Sequence, residues 1–445
     1  MMRLPEYVLT LISRLEENGF EAYAVGGCVR DMLMGKEPND YDITTNAKPE
    51  EIKKCFTDYP TILIGEKHGT VCVVSDGENV EITTYRIDGE YKDSRHPEKV
   101  SFTSSLTEDL ARRDFTVNAI AYSPTGGISD PFGGRDDINK KIIRCVGTPE
   151  KRFEEDALRI LRAIRFSSVL GFEIDKDAEK SIHRRCNDLK SISAERIFSE
   201  LCKLLCGENV KSVLSGFSDV ISVILPELKD TVGFEQKNRH HCFDVYTHTA
   251  NVVEKCPPDA ELRLAALFHD AGKPACFFMG EDGEGHFYGH AEKSKELAST
   301  ALARLKAPNS VKNLVCELIR VHDREIVNTK KSLRRFLAGV SEETAKRIFP
   351  LKKADNLSLS PEYHNRIEGL QETEAAMYTI MESNECVSQN QLAINGNDLI
   401  KLGLSEGREL GRVKNAILAA VIDGEVENEK NVLVAYAKRI IEQKN

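Results

Sequence analysis

The chain has 445 residues, of which 41% are hydrophobic and 30% charged, and a formal net charge of −10. That length exceeds one ordinary core and predicts about two to four domains; no apolar run reaches the roughly 20 residues of a membrane span. The acidic balance excludes a protein that coats nucleic acid by wholesale phosphate neutralisation, but not one that reads RNA by shape along a locally basic groove.

In chain order, LPEYVLTLISRLEENG reads as an amphipathic helix, with Pro5 near its start and Gly19 past its end. Glu6 and Arg14 interrupt its apolar stretch and no small-residue cleavage site follows, so it is not read as a signal peptide. Short β-type runs come next: EAYAV, YDITT, GTVCVV, VEITTYR and NAIAYS. Asp76-Gly77 predicts a hairpin between two of them. RIDGEYKDSRHPEKVSF is the long polar connector. After Gly147 the pattern turns helical, with EEDALRILRAIRF and SAERIFSELCKLL as amphipathic helices. The 12 cysteines are dispersed without a CxxC pair, which suits a reducing cytoplasm; Cys202 and Cys206 are expected in the core.

GGCVRD (26–31) follows a strand, and DYD (40–42) opens the next. Two glycines after a strand let the backbone at Gly27 approach a phosphate closely. The following helix start adds an anion cradle, and Arg30 a countercharge for a triphosphate. Asp40 and Asp42 are i and i+2 on a strand and share one face. Two such carboxylates can hold two Mg²⁺ ions about 4 Å apart for phosphoryl transfer. Glu81 in VEITTYR is the candidate third carboxylate, able to favour deprotonation of a primer 3′-OH. Singly, a double glycine is a turn and a DxD a solvated strand end; their order and spacing carry the argument.

With RRDFTVNAIAY (112–122), these stretches resemble the polymerase-β-like nucleotidyltransferases of the bacterial CCA-adding and poly(A) polymerase group. The resemblance runs motif by motif over about residues 1–230. It implies an α+β fold: a nucleotidyltransferase head with a small mixed sheet, followed by an all-helical neck, body and tail. It also implies that Arg113, Asp114 and Asn118 contact the ribose and phosphates of the incoming nucleotide. Asp114 and Asn118 can hydrogen-bond a 2′-OH, which would select ribonucleotides. The bland alternative is that Asn118 caps a turn and Arg113 pairs with Asp114.

In EEDALRILRAIRF, Glu155, Asp156 and Arg159 occupy i, i+1 and i+4 of a helix. A carboxylate only accepts hydrogen bonds and a guanidinium only donates. Cytosine and adenine both present an amino donor beside a ring-nitrogen acceptor; uracil and guanine present the reverse. An Asp/Arg pair therefore matches C and A and mismatches U and G, at roughly 1–3 kcal/mol per mispaired buried group. EDALR is similar to the amino-acid template of the bacterial CCA-adding enzymes. That resemblance has Glu155 orient Arg159, adds Arg162 to the nucleotide-binding set, and makes SAERIFSEL a structural brace. An isolated ExxxR would be only a surface salt bridge.

The same resemblance separates close relatives. Poly(A) polymerases carry a basic, Phe-containing motif where this chain has ILIGEKHGTV (62–71), and CC-adding enzymes are shortened where it has GEYKDSRHPEKVSF. Complete CCA addition is expected on that basis; A-adding enzymes share both features and stay open.

Seven of the 11 histidines fall between His240 and His322. Adjacent His and Asp with distant His and Asp partners can bind a divalent ion through mixed N/O donors. The order His248, His269-Asp270, His290, His322, Asp355 resembles the HD-superfamily metal-dependent phosphohydrolases. It implies one metal on His248, His269, Asp270 and Asp355 and a second on His290 and His322, with Ni²⁺, Mn²⁺, Co²⁺ or Fe²⁺ as candidates. A lone histidine on an apolar helix would be a core or surface residue. His240 and His241 have no assigned role, and His286 is expected to be solvated. The precedent suggests phosphatase or 2′,3′-cyclic phosphodiesterase action on damaged RNA 3′ ends.

The expected domains are a catalytic head (1–145), a helical neck that selects the nucleotide (146–230), an HD domain (231–370) and a helical tail (371–445). The tail resembles the tRNA-binding end of the same enzymes. Gly403, Gly407 and Gly411 are expected at turns, and Lys401, Arg408, Arg412 and Lys414 against the acceptor stem and T arm of tRNA. The expected activity is template-independent CCA addition to tRNA from CTP and ATP, in the cytoplasm and without a membrane partner. The rival from another class is an HD phosphohydrolase with an RNA-binding N-terminal part. A third is a non-enzymatic RNA-end binder, which the acid cluster disfavours.

Overall fold

The computed structural model describes residues 3–62, 69–89, 100–383 and 385–442. It is α+β, with a small mixed sheet in the first third and helices through most of the rest. The chain forms two compact units, Met1–Lys229 and Asp230–Asn445. No helix among the described residues is long and apolar enough to cross a membrane.

In the first unit, the strands are β1 (Ala22–Val25), β2 (Asp42–Thr45), β3 (Thr61–Ile62), β4 (Thr70–Ser75), β5 (Glu78–Thr84), β6 (Arg86–Asp88), β7 (Val100–Phe102), β8 (Ala121–Ser123) and β9 (Gly127–Ser129). Seven of them form one sheet, ordered β3-β4-β5-β2-β1-β8-β9. Only β2 and β5 pair in parallel there. Asp76 and Gly77 both have positive φ, 52° and 83°, so the expected hairpin closes by a tight turn between Ser75 and Glu78. The Glu6–Glu17 helix buries Val8, Leu11, Ile12 and Leu15, one stripe at helical spacing, and packs on β1 and β4.

Three expectations are corrected here. NAIAYS forms a strand only at Ala121–Ser123; Thr116–Asn118 is a 3₁₀ turn, which carries Asn118 into the site. The ends of the polar connector pair with each other as β6 and β7. Its residues 90–99, on which the loop-length argument rests, lie outside the described residues, as do 63–68 of ILIGEKHGTV. EEDALRILRAIRF is two helices, Pro149–Glu155 and Leu158–Leu170, because Asp156 is extended (φ −143°, ψ 106°). Its Oδ1 accepts the N–H of Leu158 at 3.0 Å, the capping bond an aspartate makes better than it continues a helix.

The Ala194–Leu205 helix forms as expected and packs on Leu158–Leu170. Cys202 and Cys206 are only half-buried, at the margin of the core. None of the cysteines is in a disulfide.

In the second unit the helices Val245–Lys255, Ala260–Phe268, Asn309–Val321 and Glu342–Asn356 pack together, with His290–Arg304 against two of them. The Arg366–Glu382 helix runs across the boundary expected at 370/371. Beyond it, three helices share a small core around Leu399, Ile417 and Leu433. Gly403 and Gly407 take positive φ (97° and 133°) at turns, whereas Gly411 sits inside the Arg408–Ile422 helix and makes none. Lys401, Arg408 and Arg412 are exposed and Lys414 is half-buried.

Candidate functional site

The parallel pairing of β2 and β5 sets Asp42 opposite Glu81. Side chains at paired positions of neighbouring strands project to the same face; Asp40, expected on the same strand, lies just before it, and its charge still acts on Asp42. All three carboxylates reach solvent. Loss of hydration, then the negative charges of Asp40 and Glu81, push the Asp42 carboxyl up to about 6; Arg113 opposes this. Hard oxygen donors that crowd one another in this way fit a divalent ion such as Mg²⁺.

Gly26 ends β1 at φ 84°, and a Cβ there would lie 2.9 Å from Arg113 Nη1. Only glycine permits both the backbone and the contact. Gly27 starts the short helix Gly27–Leu33. Arg30 is buried, not free: Nη1 donates to Asn118 Oδ1 at 2.7 Å and Nε to Asp31 at 2.9 Å. Asn118 Nδ2 donates to Asp114 Oδ1 at 3.2 Å, and Arg162 Nε to Asp114 Oδ2 at 2.8 Å. Arg30, Asn118, Asp114 and Arg162 therefore form one continuous network. Burial alone would raise the Asp114 carboxyl; the charge and hydrogen bond of Arg162, with Arg159 and the Asn118 amide, outweigh it and hold it at about 2. Arg113 is the least satisfied cation here. Its buried Nε has no hydrogen-bond partner, Asp109 is 3.8 Å from Nη2, and burial lowers its pKa.

The helix break at Asp156 leaves the expected ion pair intact: Arg159 Nη1 donates to Glu155 Oε2 at 2.6 Å. Arg159 is further fixed by the carbonyls of Arg112 and Arg152, each at 3.1 Å. Asp156 Oδ2 accepts from Arg196 Nη2 at 2.7 Å. Arg196 was not singled out by the sequence, although it lies in the SAERIFSEL brace; that motif's Glu200 likewise holds Arg165 at 2.5 Å. The ring of Phe166 stacks the two halves of the site together, with the guanidiniums of Arg30, Arg162 and Arg165 at 5.3, 5.5 and 3.7 Å from its centre.

In the second unit, the six residues of the histidine/aspartate pattern converge. Asp270 Oδ2 lies 3.6 Å from His248 Nε2 and 3.2 Å from His269 Nε2. Its Oδ1 lies 3.4 Å from His290 Nε2 and 3.9 Å from His322 Nε2. Asp355 Oδ1 is 3.0 Å from His248 Nε2. Two groups have ligand atoms within 4.8 Å of one another: His248, His269 and Asp270, and Asp270, His290 and His322. The expected division of ligands is thus modified: Asp270 belongs to both groups, and Asp355 borders the first.

Each histidine is oriented by a carbonyl at Nδ1: His248 by Ser358 (3.3 Å), His269 by Ala266 (2.7 Å), His290 by Phe287 (2.9 Å) and His322 by Ile319 (2.7 Å). A carbonyl only accepts, so each Nδ1 donates to its carbonyl, and every Nε2 faces inward. His290 and His322 face each other Nε2 to Nε2 at 3.3 Å, and His269 Nε2 is buried without a hydrogen bond. This donor set suits a transition metal. Burial and the neighbouring His269 lower His322 to about 4. Burial would raise Asp270, but His269 and Lys273 outweigh it and hold it well below the usual range. Lys273, which the sequence reading missed, sits 2.7 Å from Asp270 Oδ2, one helical turn along in HDAGK. His286 is not simply solvated: with His240 and His241 it lines a cavity of 540 Å³ beside this cluster.

Residues 22–144 match the family model described as "Poly A polymerase head domain", residues 171–230 match "Probable RNA and SrmB- binding site of polymerase A", and residues 287–437 match "tRNA nucleotidyltransferase domain 2". The chain is 36% identical to the CCA-adding enzyme of Geobacillus stearothermophilus, over 96% of this chain and 95% of that one. It is 32% identical to that of Ligilactobacillus salivarius, over 98% and 96%. Among solved structures, it superposes on the Bacillus stearothermophilus CCA-adding enzyme in complex with CTP with a TM-score of 0.73 and 31% identity, covering 99% of this chain and 98% of that one. A Thermotoga maritima CCA-adding enzyme complexed with tRNA shares the fold, with a TM-score of 0.61 at 21% identity. With coverage this complete, the alignments run through the histidine-rich stretch.

Proposed function

The chain belongs to the family of CCA-adding enzymes, and from that premise we propose that it adds CCA, without a template, to the 3′ end of tRNA from CTP and ATP. The observation that carries this reading is the alignment of Asp42 with Glu81 on adjacent parallel strands, two residues beyond Asp40. In the proposed reaction the tRNA 3′-OH attacks the α-phosphorus of the nucleotide, its proton is lost, and pyrophosphate leaves. Asp40, Asp42 and Glu81 would hold two Mg²⁺ ions. Bound there, these supply charge neutralisation at the phosphates and acidify the attacking hydroxyl. The chain's own contribution is positioning. The backbone at Gly26 and Gly27 admits the phosphates, Arg113 supplies a cation paired only loosely with Asp109, and the Arg30–Asn118–Asp114–Arg162 network holds the ribose end.

Asp156 and Arg159 are the proposed readers of the base edge. The acceptor and the donor are each held in place, by Arg196 and by Glu155. Rigidity matters, because discrimination by mispaired hydrogen bonds works only if the protein groups cannot turn away. The relative crystallised with CTP supports nucleotide use by this arrangement. The deciding experiment offers Mg²⁺, CTP and ATP to labelled tRNA lacking CCA, ending in C, or ending in CC, and resolves products to one nucleotide. Two Cs followed by one A, then a stop, is the expected result. Addition of A only to the CC substrate, of CC alone, or of long A tails would reassign the specificity.

We further propose that His248, His269, Asp270, His290, His322 and Asp355 would hold divalent ions, and that this cluster removes phosphate from damaged RNA 3′ ends in the cytoplasm. The support is the shared inward orientation of the four Nε2 atoms. A bound transition metal ion would supply activated water. On a 2′,3′-cyclic phosphate, water adds to phosphorus, the P–O3′ bond breaks, and the 3′ oxygen takes up the proton, leaving a 2′-phosphate; hydrolysis of that ester frees the end for addition. His269→Ala/Asp270→Ala should abolish extension of cyclic-phosphate tRNA while sparing tRNA with a free 3′-OH. Extension of both by the double variant would refute it.

A further inference from the structure

The cavity beside the His/Asp cluster has an aromatic lip that the proposed chemistry does not use. Phe278–Met279 and Gly285–His286 form a small antiparallel hairpin in which Phe278 opposes His286. The His286 ring stacks with Phe278 (5.4 Å, 27° between planes) and with Tyr288 (5.5 Å, 17°). Water is not excluded from these rings: Tyr288 is 76% exposed, Phe278 44% and Met279 51%. Large apolar groups gathered in solvent on so short an element mark a binding surface more often than a packing one.

The hairpin is also rigidly seated. Gly285 N–H donates to the Lys237 carbonyl at 2.8 Å, and a Cβ on Gly285 would come within 2.3 Å of the Gln236 carbonyl oxygen. His286 Nε2 lies 3.0 Å from both oxygens of Asp282, which sets the plane of the ring. The rings are therefore held ready and need little ordering on binding.

Besides His286 and Tyr288, the cavity is lined by Asp270, Asp355, His290, His322, Lys273 and Arg366. Its 540 Å³ is within the range of small-ligand sites, about 300–1,000 Å³. A ligand that fills it joins an anionic group at Asp270 and Lys273 to a flat ring at the lip.

We propose that this hairpin is a nucleobase platform: Tyr288 and His286 stack the base of a nucleoside whose phosphate lies at Asp270 and Lys273. Tyr288 thereby makes the pocket prefer base-bearing phosphates to base-free ones. The proposal rests on the phosphohydrolase reading of the cluster and names its substrate class. A free nucleotide and the last nucleotide of an RNA present the same chemistry to the platform.

The test uses the full chain with Mn²⁺ and measures phosphate release from 3′-AMP, from an oligoribonucleotide ending in a 3′-phosphate, and from ribose 3-phosphate. Tyr288→Ala is expected to raise KM for the base-bearing substrates roughly 5- to 100-fold, the range of base–aromatic stacking, with kcat within about twofold. Tyr288→Phe should restore KM, and ribose 3-phosphate should respond to neither change. The base-bearing substrate with the lower KM identifies the source. An unchanged KM, or an equal rise with ribose 3-phosphate, overturns the platform. If the wild type releases phosphate from none of them, the phosphohydrolase reading fails and binding decides the platform separately. Equilibrium dialysis of labelled 3′-AMP, with CTP saturating the N-terminal site, then supports it if binding weakens in Tyr288→Ala. Binding that is absent or insensitive to that change overturns it.

Discussion

Asp156 is gripped by Arg196, at 2.7 Å, from a helix that begins almost forty residues later. The carboxylate has left the helical path to cap Leu158, so nothing in its own segment holds its outer oxygen. Arg196 is thus the positioning residue for one half of the proposed base-reading pair. Replacing it with Ala should lower kcat/KM for CTP and ATP by about 10- to 150-fold, the worth of one buried charged hydrogen bond. Discrimination against UTP should narrow, and Arg196→Lys should recover part of it. Competition assays with CTP and UTP measure the ratio; an unaltered ratio would mean that Asp156 is held by other means.

Asp42 carries a stability cost at neutral pH. Its folded pKa, about 6, is above the ordinary 3.8, so the folded chain binds the extra proton between those values and loses stability as pH rises through that window. Asp42→Asn should therefore raise the melting temperature of the metal-free protein at pH 7.5. Discounted for its exposure, the gain is about 1 kcal/mol, or roughly 2–4 °C. At pH 4 the gain should vanish, and nucleotide addition should be lost at every pH. Calorimetry in EDTA checks the sign.

Gly26 is tied to Arg113 by contact. An alanine there meets both an unfavourable φ of 84° and a Cβ 2.9 Å from Arg113 Nη1. The expected cost is about 1–2 kcal/mol of stability, with a loss of at least about tenfold in nucleotide affinity as Arg113 is displaced. Equilibrium binding of CTP and thermal melting separate the two effects. Normal affinity in a destabilised variant would remove Arg113 from the phosphate site.

Asp114 and Arg162 form a close, largely buried ion pair in the first unit. The Asp114 carboxyl is depressed from 3.8 to about 2, so its contribution is present above pH 4 and lost as pH falls toward 2. Arg162→Met leaves that carboxylate buried without its main partner, at about 3–5 kcal/mol. Adding Asp114→Asn should recover much of this, since no buried charge is then uncompensated. Denaturant unfolding at pH 7 gives the cycle; strictly additive losses would show that the pair is not coupled.

Asp270 faces both groups of histidines, with one oxygen toward each. Asp270→Ala should empty both and His322→Ala only one. Metal content by mass spectrometry after dialysis should fall to about zero in the first variant and to about half in the second. Chelation should also lower the melting temperature of the wild type, because an ion bound only by the folded chain stabilises it. Equal metal content in both variants would disprove the bridging role.

The elements that sequence alone determined are those built by local periodicity and short spacing. The Glu6–Glu17 helix and the Asp76-Gly77 hairpin follow from the 3.6-residue repeat and from turn chemistry, which act within a few residues. The histidine/aspartate order was legible too, because few other reasons gather those residue types in that sequence. Tertiary structure decided what depends on partners far along the chain. It placed Glu81 beside Asp42 through a parallel pairing whose register no local signal sets. It broke the EEDALRIL helix at Asp156, where capping and the pull of Arg196 outweigh helical continuity. It joined Arg30 and Asn118 in one buried network, so that each is oriented by its neighbours before any ligand arrives. It turned His286 from a solvated loop residue into part of an aromatic lip. Periodicity reports which face is buried; only packing decides which polar group meets which, because a hydrogen bond is made or lost within a fraction of an ångström.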